Sequence, residues 1–196
     1  KPINSQVGLG VRSSSITTIF TQGSFYESTS STAFAIDGDG FFGVKGPDGN
    51  TYYTRNGDFT WATNNGGGVI LTNSDGLPVL SSTGRTITLN SNYVTSRVTI
   101  SADGTICYPD ASNNAQSLGM TIGMYQFNNP GGLERQGDTL WGVTDASGNA
   151  MNEATNRNLP KSKIIQGYLE GSNVQVADEM VNLIVAQRAY EMNSKA

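Results

Sequence analysis

Residues 167–196 read GYLEGSNVQVADEMVNLIVAQRAYEMNSKA, and this segment is unlike the chain that precedes it. From residue 174 onward it contains no Gly or Pro, whereas the earlier chain is rich in Gly, Asn, Ser and Thr. Its apolar residues recur at alternating steps of three and four, which indicates an α-helix with a packing seam. The residues that we expect to carry this assembly helix are Val174, Ala177, Met180, Val181, Leu183, Ile184, Tyr190 and Met192.

The apolar residues of this predicted helix form two neighbouring stripes, so more than one face is suited to burial. A helix that is apolar over so much of its circumference is usually buried by several partners. The alternative is that the helix docks on the β domain of its own chain. The pattern continues to Ala196 without a capping Gly or a Pro, and the chain begins with Lys1. We therefore expect a fragment of a longer polypeptide in which the terminal helix is truncated.

The composition indicates a turn-rich β protein. The 196 residues include 24 Gly, 36% hydrophobic residues and only 14% charged residues. The low charge content favours an assembly-type or extracytoplasmic protein over a helical cytosolic enzyme. A formal charge of −4 argues against nucleic acid or an anionic membrane as a partner. Because the sequence has no run of about 18 apolar residues, we also expect no membrane insertion.

The sequence offers little material for catalysis. It has no histidine, which removes the commonest general base and the usual nucleophile–histidine arrangements. The single cysteine, Cys107, is predicted to be a buried thiol within a strand. Glu134, Glu153 and Glu170 are the acids that a glycosidase-like mechanism would need, but no spacing joins two of them. We interpret all three as surface residues and predict no catalytic residue and no cofactor.

The run FAIDGDGFFGV at residues 34–44 places a tight turn between two apolar clusters. Gly38 and Gly40 are expected to supply positive φ angles in this turn. Its paired aspartates suggest a calcium loop, but an EF-hand needs a third ligand before the glycine and a Glu at the twelfth position. Neither is present, so we interpret the aspartates as turn residues and predict no metal site.

The rest of the chain alternates short apolar runs with turn residues at spacings of roughly eight to twelve residues, which is typical of an antiparallel β domain. Hairpin turns are predicted at residues 47–50, 56–57 and 73–76. Residues 110–117 and 145–159 are predicted to be surface loops. Among the predicted strands are residues 41–44, 51–55, 69–72, 86–89, 94–100, 105–108, 118–127 and 163–169. The predicted fold is mainly β, a compact antiparallel β domain with extended connecting segments and a C-terminal α-helix.

Several runs resemble the bacterial flagellar rod and hook proteins, a family of axial proteins. Residues 169–174 and 187–195 resemble the family's Leu-Glu-x-Ser-Asn-Val core and its Gln-Arg-Ala-Tyr-Glu-Met-Asn-Ser-Lys helix. AIDGDGFF at residues 35–42 resembles Ala-Ile-x-Gly-x-Gly-Phe-Phe, and YTRNGDF at residues 53–59 resembles Tyr-Thr-Arg-(Asp/Asn)-Gly-x-Phe. The residues that the resemblance marks in these two turns are Asp37, Gly38, Gly40, Phe41, Phe42, Arg55 and Gly57.

The resemblance implies three parts of the chain. These are an N-terminal connecting segment (residues 1–30), a β-rich outer domain (residues 31–165) and a C-terminal segment that begins a coiled-coil helix (residues 166–196). Family members polymerise head to tail into a helical tube that transmits torque and encloses the export channel. The implied partners are further copies of the chain, proximal rod and hook proteins, and the surrounding basal-body rings. The implied location is the periplasm-spanning rod of the flagellar basal body, reached through type III export.

Within the family, QGYLEGS at residues 166–172 and YEMN at residues 190–193 are most similar to distal rod proteins. Hook or proximal rod proteins are the alternative. Outside the family, the composition would apply equally to a secreted adhesin or a phage-tail-like β module.

Overall fold

The computed structural model of the protein describes residues 20–172. This part of the chain is mainly β, as the sequence predicts, and consists of short antiparallel strands and two 3₁₀ turns. The predicted C-terminal helix, with all eight of the residues named for it, lies outside the described residues. Residues 1–19 of the predicted N-terminal connecting segment also lie outside them.

The strands of the described residues follow one another closely along the chain. They are β1 (Phe25–Glu27), β2 (Phe34–Asp37), β3 (Phe41–Lys45), β4 (Thr51–Thr54), β5 (Thr60–Thr63), β6 (Val69–Thr72), β7 (Thr88–Leu89), β8 (Thr99–Ile100), β9 (Thr105–Pro109), β10 (Ala115–Thr121), β11 (Met124–Gln126), β12 (Glu134–Arg135), β13 (Trp141–Gly142), β14 (Met151–Asn152), β15 (Lys163–Gln166) and β16 (Tyr168–Glu170). The 3₁₀ turns span Thr95–Arg97 and Pro130–Gly132.

The largest sheet has six antiparallel strands in the order β12-β13-β4-β3-β11-β14. Strand β3 lies inside this sheet, with Phe42 opposite Thr54 of β4 and Phe41 opposite Tyr125 of β11. Its residues are buried up to Val44 and only Lys45 is exposed. A strand covered on both faces needs a nearly continuous apolar run, which explains why this part of the sequence does not alternate.

The remaining strands form smaller antiparallel sheets around this one. Three-stranded sheets have the orders β5-β6-β7 and β10-β9-β8. Strand β15 pairs with β2, and β16 pairs with β1. Because β15 and β16 come late in the chain and β1 and β2 come early, these two pairs hold the two ends of the described chain together.

The apolar side chains are buried in two groups that lie on opposite sides of β3. Phe42 faces one group and Phe41 the other, as the alternation of side chains along a strand requires. The main core consists of Phe34, Ile36, Phe42, Val44, Phe59, Leu71, Val79, Ile87, Leu89, Val98, Ile106, Ile122, Met124, Leu140 and Ile164. The second cluster consists of Phe41, Tyr53, Tyr125, Phe127 and Leu133.

The predicted hairpin turn at residues 47–50 is confirmed between β3 and β4. Gly49 has a φ of 83°, and the Asn50 amide donates to the Asp48 carboxylate at 3.0 Å. The Tyr52 hydroxyl donates to the same carboxylate at 2.6 Å, and this bond lowers the pKa of Asp48. The Asp48 carboxylate therefore fixes the hairpin turn through these hydrogen bonds and is ionised at neutral pH.

Several of the predicted strands are wrong in extent. Of residues 86–89 only Thr88–Leu89 form a strand, and residues 163–169 are divided at Gly167 between β15 and β16. Residues 94–100 form a 3₁₀ turn followed by the two-residue strand β8, because only β8 has a pairing partner, in β9. The predicted long strand at residues 118–127 is two strands. It breaks at Gly123, whose amide donates to Leu80 O at 2.9 Å. The first of them, β10, begins at Ala115, inside the predicted loop at residues 110–117.

The predicted surface loop at residues 145–159 is wrong in part. It contains β14, which extends the six-stranded sheet, and it buries Ser147 and Glu153, which are 0% and 3% exposed. The sequence pattern fails here because polar side chains fill buried positions by hydrogen bonding, without the apolar spacing that marks a core. Cys107, predicted to be buried, is only half-buried on β9.

Candidate functional site

The two segments that lead into and out of the β domain meet in a two-stranded ribbon. This ribbon consists of β1 and β16, with Phe25 opposite Glu170 and Tyr26 opposite Leu169. The Gly171 amide donates to Ser24 O at 2.8 Å and continues the pairing beyond the strands. Both connecting segments therefore join the domain at one place.

Arg55, in the YTRNG turn after β4, occupies the centre of this place. Its Nη1 donates to Gly38 O and Gly40 O, both at 2.6 Å, and its Nη2 donates to Ile36 O at 3.1 Å. Its Nε and Nη2 reach Glu170 Oε2 at 2.9 and 2.8 Å. One guanidinium thus joins the DGDG turn to the last strand of the ribbon, which its planar fork of donors allows.

Glu170 and Gln22 complete the site from the connecting segments. The other carboxylate oxygen of Glu170 accepts the Gly23 amide at 2.8 Å. The Gln22 side chain donates to Ile36 O at 2.6 Å and accepts the Gly38 amide at 3.3 Å. We call Gln22, Gly38, Gly40, Arg55 and Glu170 the junction cluster.

The ion pair of the junction cluster is largely removed from water. The side chains of Arg55 and Glu170 are 18% and 8% exposed. Deleting one partner of a buried pair leaves a desolvated charge, which costs about 3–5 kcal/mol, whereas an exposed pair contributes about 1 kcal/mol at most. Because 18% of the Arg55 side chain is still exposed to solvent, we expect a cost near the lower end of the range for a buried pair, about 3 kcal/mol.

Three glycines of the two turns are required for different physical reasons. Gly38 has a φ of 130°, as predicted for this turn, whereas Gly40 does not have the positive φ that the sequence predicts. Instead, a Cβ at Gly40 would lie 2.8 Å from both Glu153 Oε1 and Ser162 Oγ. A Cβ at Gly57 would lie 1.9 Å from Phe34 O, so this turn packs directly against the backbone of β2.

The other residues marked by the resemblance surround the cluster. Phe42 packs against Phe59 in the main core, with ring centroids 5.0 Å apart. Phe41 contacts Phe20 at 5.2 Å, so the second cluster also receives a side chain from the N-terminal connecting segment. Asp37 is exposed at the end of β2, opposite Lys163. The structure therefore brings all of these turn residues together, with Arg55 contacting the backbone of both β2 and the DGDG turn.

A second polar network, which the sequence did not reveal, contacts the DGDG turn at Gly40. Glu153 Oε1 accepts Gln126 Nε2 at 2.8 Å and the Ser162 hydroxyl at 2.7 Å, and Oε2 accepts the Ser162 amide at 2.9 Å. The same hydroxyl accepts the Gly40 amide at 2.9 Å. The buried Glu153 carboxylate therefore accepts hydrogen bonds only from neutral donors. Through Ser162 it positions the DGDG turn, to which Arg55 also donates.

The acids considered for catalysis have structural contacts instead. Glu134 is exposed as predicted, but the surface interpretation is wrong for Glu153 and Glu170, since both lie in the networks described above. Within residues 20–172, no group of three or more acidic, Cys or His side chains is placed to hold a metal ion. The same part of the chain contains no helix long and apolar enough to cross a membrane.

Burial also raises the pKa values of two tyrosines in the second cluster. Desolvation, with a smaller contribution from Tyr125, raises the pKa of Tyr53 to about 12. Burial raises the pKa of Tyr125 as well. Both hydroxyls therefore remain neutral at physiological pH and give the cluster no acid–base function there.

Two stretches of the chain match known protein families. Residues 35–108 match the family described as "Flagellar hook protein FlgE/F/G D1 domain", and residues 165–196 match the one described as "Flagellar basal body rod FlgEFG protein C-terminal". The flagellar basal-body rod protein FlgG of Buchnera aphidicola subsp. Acyrthosiphon pisum is 39% identical over 195 residues, covering 100% of this chain and 71% of the relative. The chain belongs to the flagellar basal-body rod protein family.

FlgG proteins of other bacteria are similar to this chain over nearly the same length. FlgG of Borreliella burgdorferi is 38% identical over 201 residues, covering 100% of this chain and 71% of the relative. FlgG of Bacillus subtilis is 35% identical over 190 residues, covering 97% of this chain and 69% of the relative. The predicted distal rod protein is thus confirmed, and the hook and adhesin alternatives receive no support. This is a family of structural proteins of the flagellar basal body.

Proposed function

We propose that the protein polymerises with copies of itself into the helical tube of the distal rod, which transmits torque to the hook and encloses the export channel. The predicted assembly helix at residues 174–196 provides the contacts along the tube, and the β domain forms its outer layer. Head-to-tail contacts that do not close on themselves generate such an open filament.

The junction cluster is the observation that carries this proposal. A subunit that transmits torque needs a stiff connection between the segments that form the tube wall and the domain outside it. Arg55, in the YTRNG turn, supplies this connection with charge-assisted hydrogen bonds to the DGDG turn and to Glu170 in the ribbon. We accordingly propose the division into residues 1–30, 31–165 and 166–196, in which β1 belongs to the first part and β16 to the third.

The proposed partners follow from this role. They are further copies of the chain, the proximal rod and hook proteins at the two ends of the distal rod, and the basal-body rings around it. The protein reaches this position through the flagellar type III system and acts without a cofactor, nucleic acid or insertion into a membrane. The net charge of −4 is consistent with a protein that does not bind polyanions.

The test uses the intact protein in its own bacterium. Val181→Asp or Ile184→Asp places a charge on the predicted apolar face, and we expect isolated basal bodies to lack the distal rod and cells to be non-motile. Val94→Asp is the matched control, because Val94 is 54% exposed in the β domain. Circular dichroism of the purified variants should show an intact β domain. Normal rods and motility in the helix variants would contradict the proposal.

A further inference from the structure

The sequence contains two Asn-Gly pairs, Asn56-Gly57 and Asn65-Gly66, and such a pair can modify itself without an enzyme. The glycine nitrogen loses its proton to hydroxide and attacks the carboxamide carbon of the asparagine. Glycine favours this attack because it has no Cβ to obstruct the approach. As the new N–C bond closes a succinimide ring, the C–NH₂ bond breaks and ammonia leaves. Water then opens the ring at either carbonyl, which gives aspartate or isoaspartate.

The pair Asn65-Gly66 lies in the loop of the hairpin between β5 and β6, and both of its residues are exposed. The Asn64 amide donates to Gly68 O at 2.9 Å and closes the loop around the pair. In the described part of the chain, no hydrogen bond restrains the Asn65 side chain. The Gly66 amide donates to Asn64 Oδ1 at 2.6 Å, but this bond is exposed, so water can replace it at little cost. The pair is therefore free to reach the geometry of the ring.

The pair Asn56-Gly57, in the YTRNG turn, is fixed by hydrogen bonds on both sides. The Asn56 amide donates to Thr54 Oγ1 at 3.0 Å, and Asn56 Oδ1 accepts the Asp58 amide at 2.9 Å. Gly57 is buried, and its carbonyl accepts the Phe34 amide at 2.9 Å. Ring closure requires the peptide between Asn56 and Gly57 to rotate, so these bonds must break before the reaction begins.

We propose that Asn65 is a site of spontaneous deamidation and that the fold shields Asn56 from the same reaction. Isoaspartate carries the chain through the former side chain and lengthens the backbone by one carbon. The exposed loop after β5 has room for this atom, because Gly67 has open space around its Cα. In the YTRNG turn the same change would displace Arg55 from the junction cluster. The inference does not depend on the proposed function, because the reaction needs only the chain and water.

Incubation of the intact, purified protein in mildly alkaline buffer tests the proposal. The tryptic peptide 56–85 contains both asparagines, and its fragment ions assign the exchange of NH₂ for OH to one of them. We expect the product to form at Asn65 at least about tenfold faster than at Asn56, because reaction at Asn56 requires local opening of the turn. The rate at Asn65 should increase with pH, since hydroxide removes the proton of the glycine amide.

Two controls separate the effect of the fold from that of the sequence. In Gly66→Ala the new Cβ lies beside the reacting nitrogen and should slow the reaction at Asn65 by at least about tenfold. Its nearest neighbour would be Asn64 Oδ1 at 3.2 Å, so the loop accepts this change. Unfolding in guanidinium chloride should make the rates at Asn56 and Asn65 comparable. Comparable rates in the folded protein, a difference that persists after unfolding, or no reaction at Asn65 would overturn the inference.

Discussion

The junction cluster and the main core hold the molecule together by different means. The main core joins strands by apolar burial, with side chains such as Leu71, Val79 and Ile87 completely excluded from solvent. The junction cluster joins the connecting segments to the domain through one ion pair and a set of hydrogen bonds. The two regions come together at Gly57, whose turn carries Arg55 and packs against Phe34 of the main core.

This difference separates stability from orientation. Apolar burial is non-directional and tolerates small shifts, so it determines how stable the domain is. A planar guanidinium that contacts three carbonyl oxygens and a carboxylate accepts only a narrow range of geometries. The junction therefore fixes the direction in which the connecting segments leave, a property that a rod subunit needs in addition to stability.

The largest loss in the free energy of unfolding is expected for a substitution at Gly57, because it disturbs both the junction cluster and the main core. In Gly57→Ala the new Cβ would lie 1.9 Å from Phe34 O and 3.0 Å from a ring carbon of Phe42, so the turn and β2 must separate. We expect the free energy of unfolding to fall by about 4 kcal/mol in urea titrations. Gly49→Ala is the control, because Gly49 has a φ of 83° and open space around its Cα, and should cost about 1 kcal/mol. Equal costs for the two variants would contradict the close packing of this turn.

A smaller loss in the free energy of unfolding is expected for a substitution in the polar network of Glu153, Gln126 and Ser162. In Glu153→Gln an amide NH₂ replaces an oxygen that accepts hydrogen bonds from Gln126 or Ser162, so donor faces donor in a buried site. We expect a loss of about 2 kcal/mol in the free energy of unfolding. The same substitution at the exposed Glu134 should change it by less than about 0.5 kcal/mol. A neutral result at Glu153 would mean that the carboxylate is not needed to support the DGDG turn.

The sequence predicted those features that depend on neighbouring residues. The hairpin between β3 and β4 was predicted because Asp48 and Gly49 form the turn locally. The break at Gly123 could not be predicted, because it depends on a bond to Leu80, which lies far away along the chain. Local signals determine turns and short strands, whereas the ends of strands are determined by which partner is available.

The junction cluster could be predicted only in part. Arg55 was marked by its resemblance to a family motif, but its partner Glu170 is 115 residues away and was interpreted as a surface acid. Glu153 was misinterpreted for the same reason, since its hydrogen-bond partners Gln126 and Ser162 lie 27 and 9 residues away. A charged residue in a sequence carries no local sign of the partner that makes its burial favourable.

Hydrogen exchange in Glu170→Gln tests most directly whether the junction fixes the ribbon independently of the main core. The amides of Gly171 and Ser28 report on the ribbon, and those of Leu71 and Val79 report on the core. We predict that exchange at the ribbon amides accelerates by at least about tenfold while the core amides remain protected as in the wild type. In contrast to Glu170→Gln, the variant Leu71→Ala opens a cavity in the main core and should accelerate exchange at the core amides in addition to the ribbon amides. Unchanged exchange at the ribbon in Glu170→Gln, or equal acceleration at all four amides, would contradict the account.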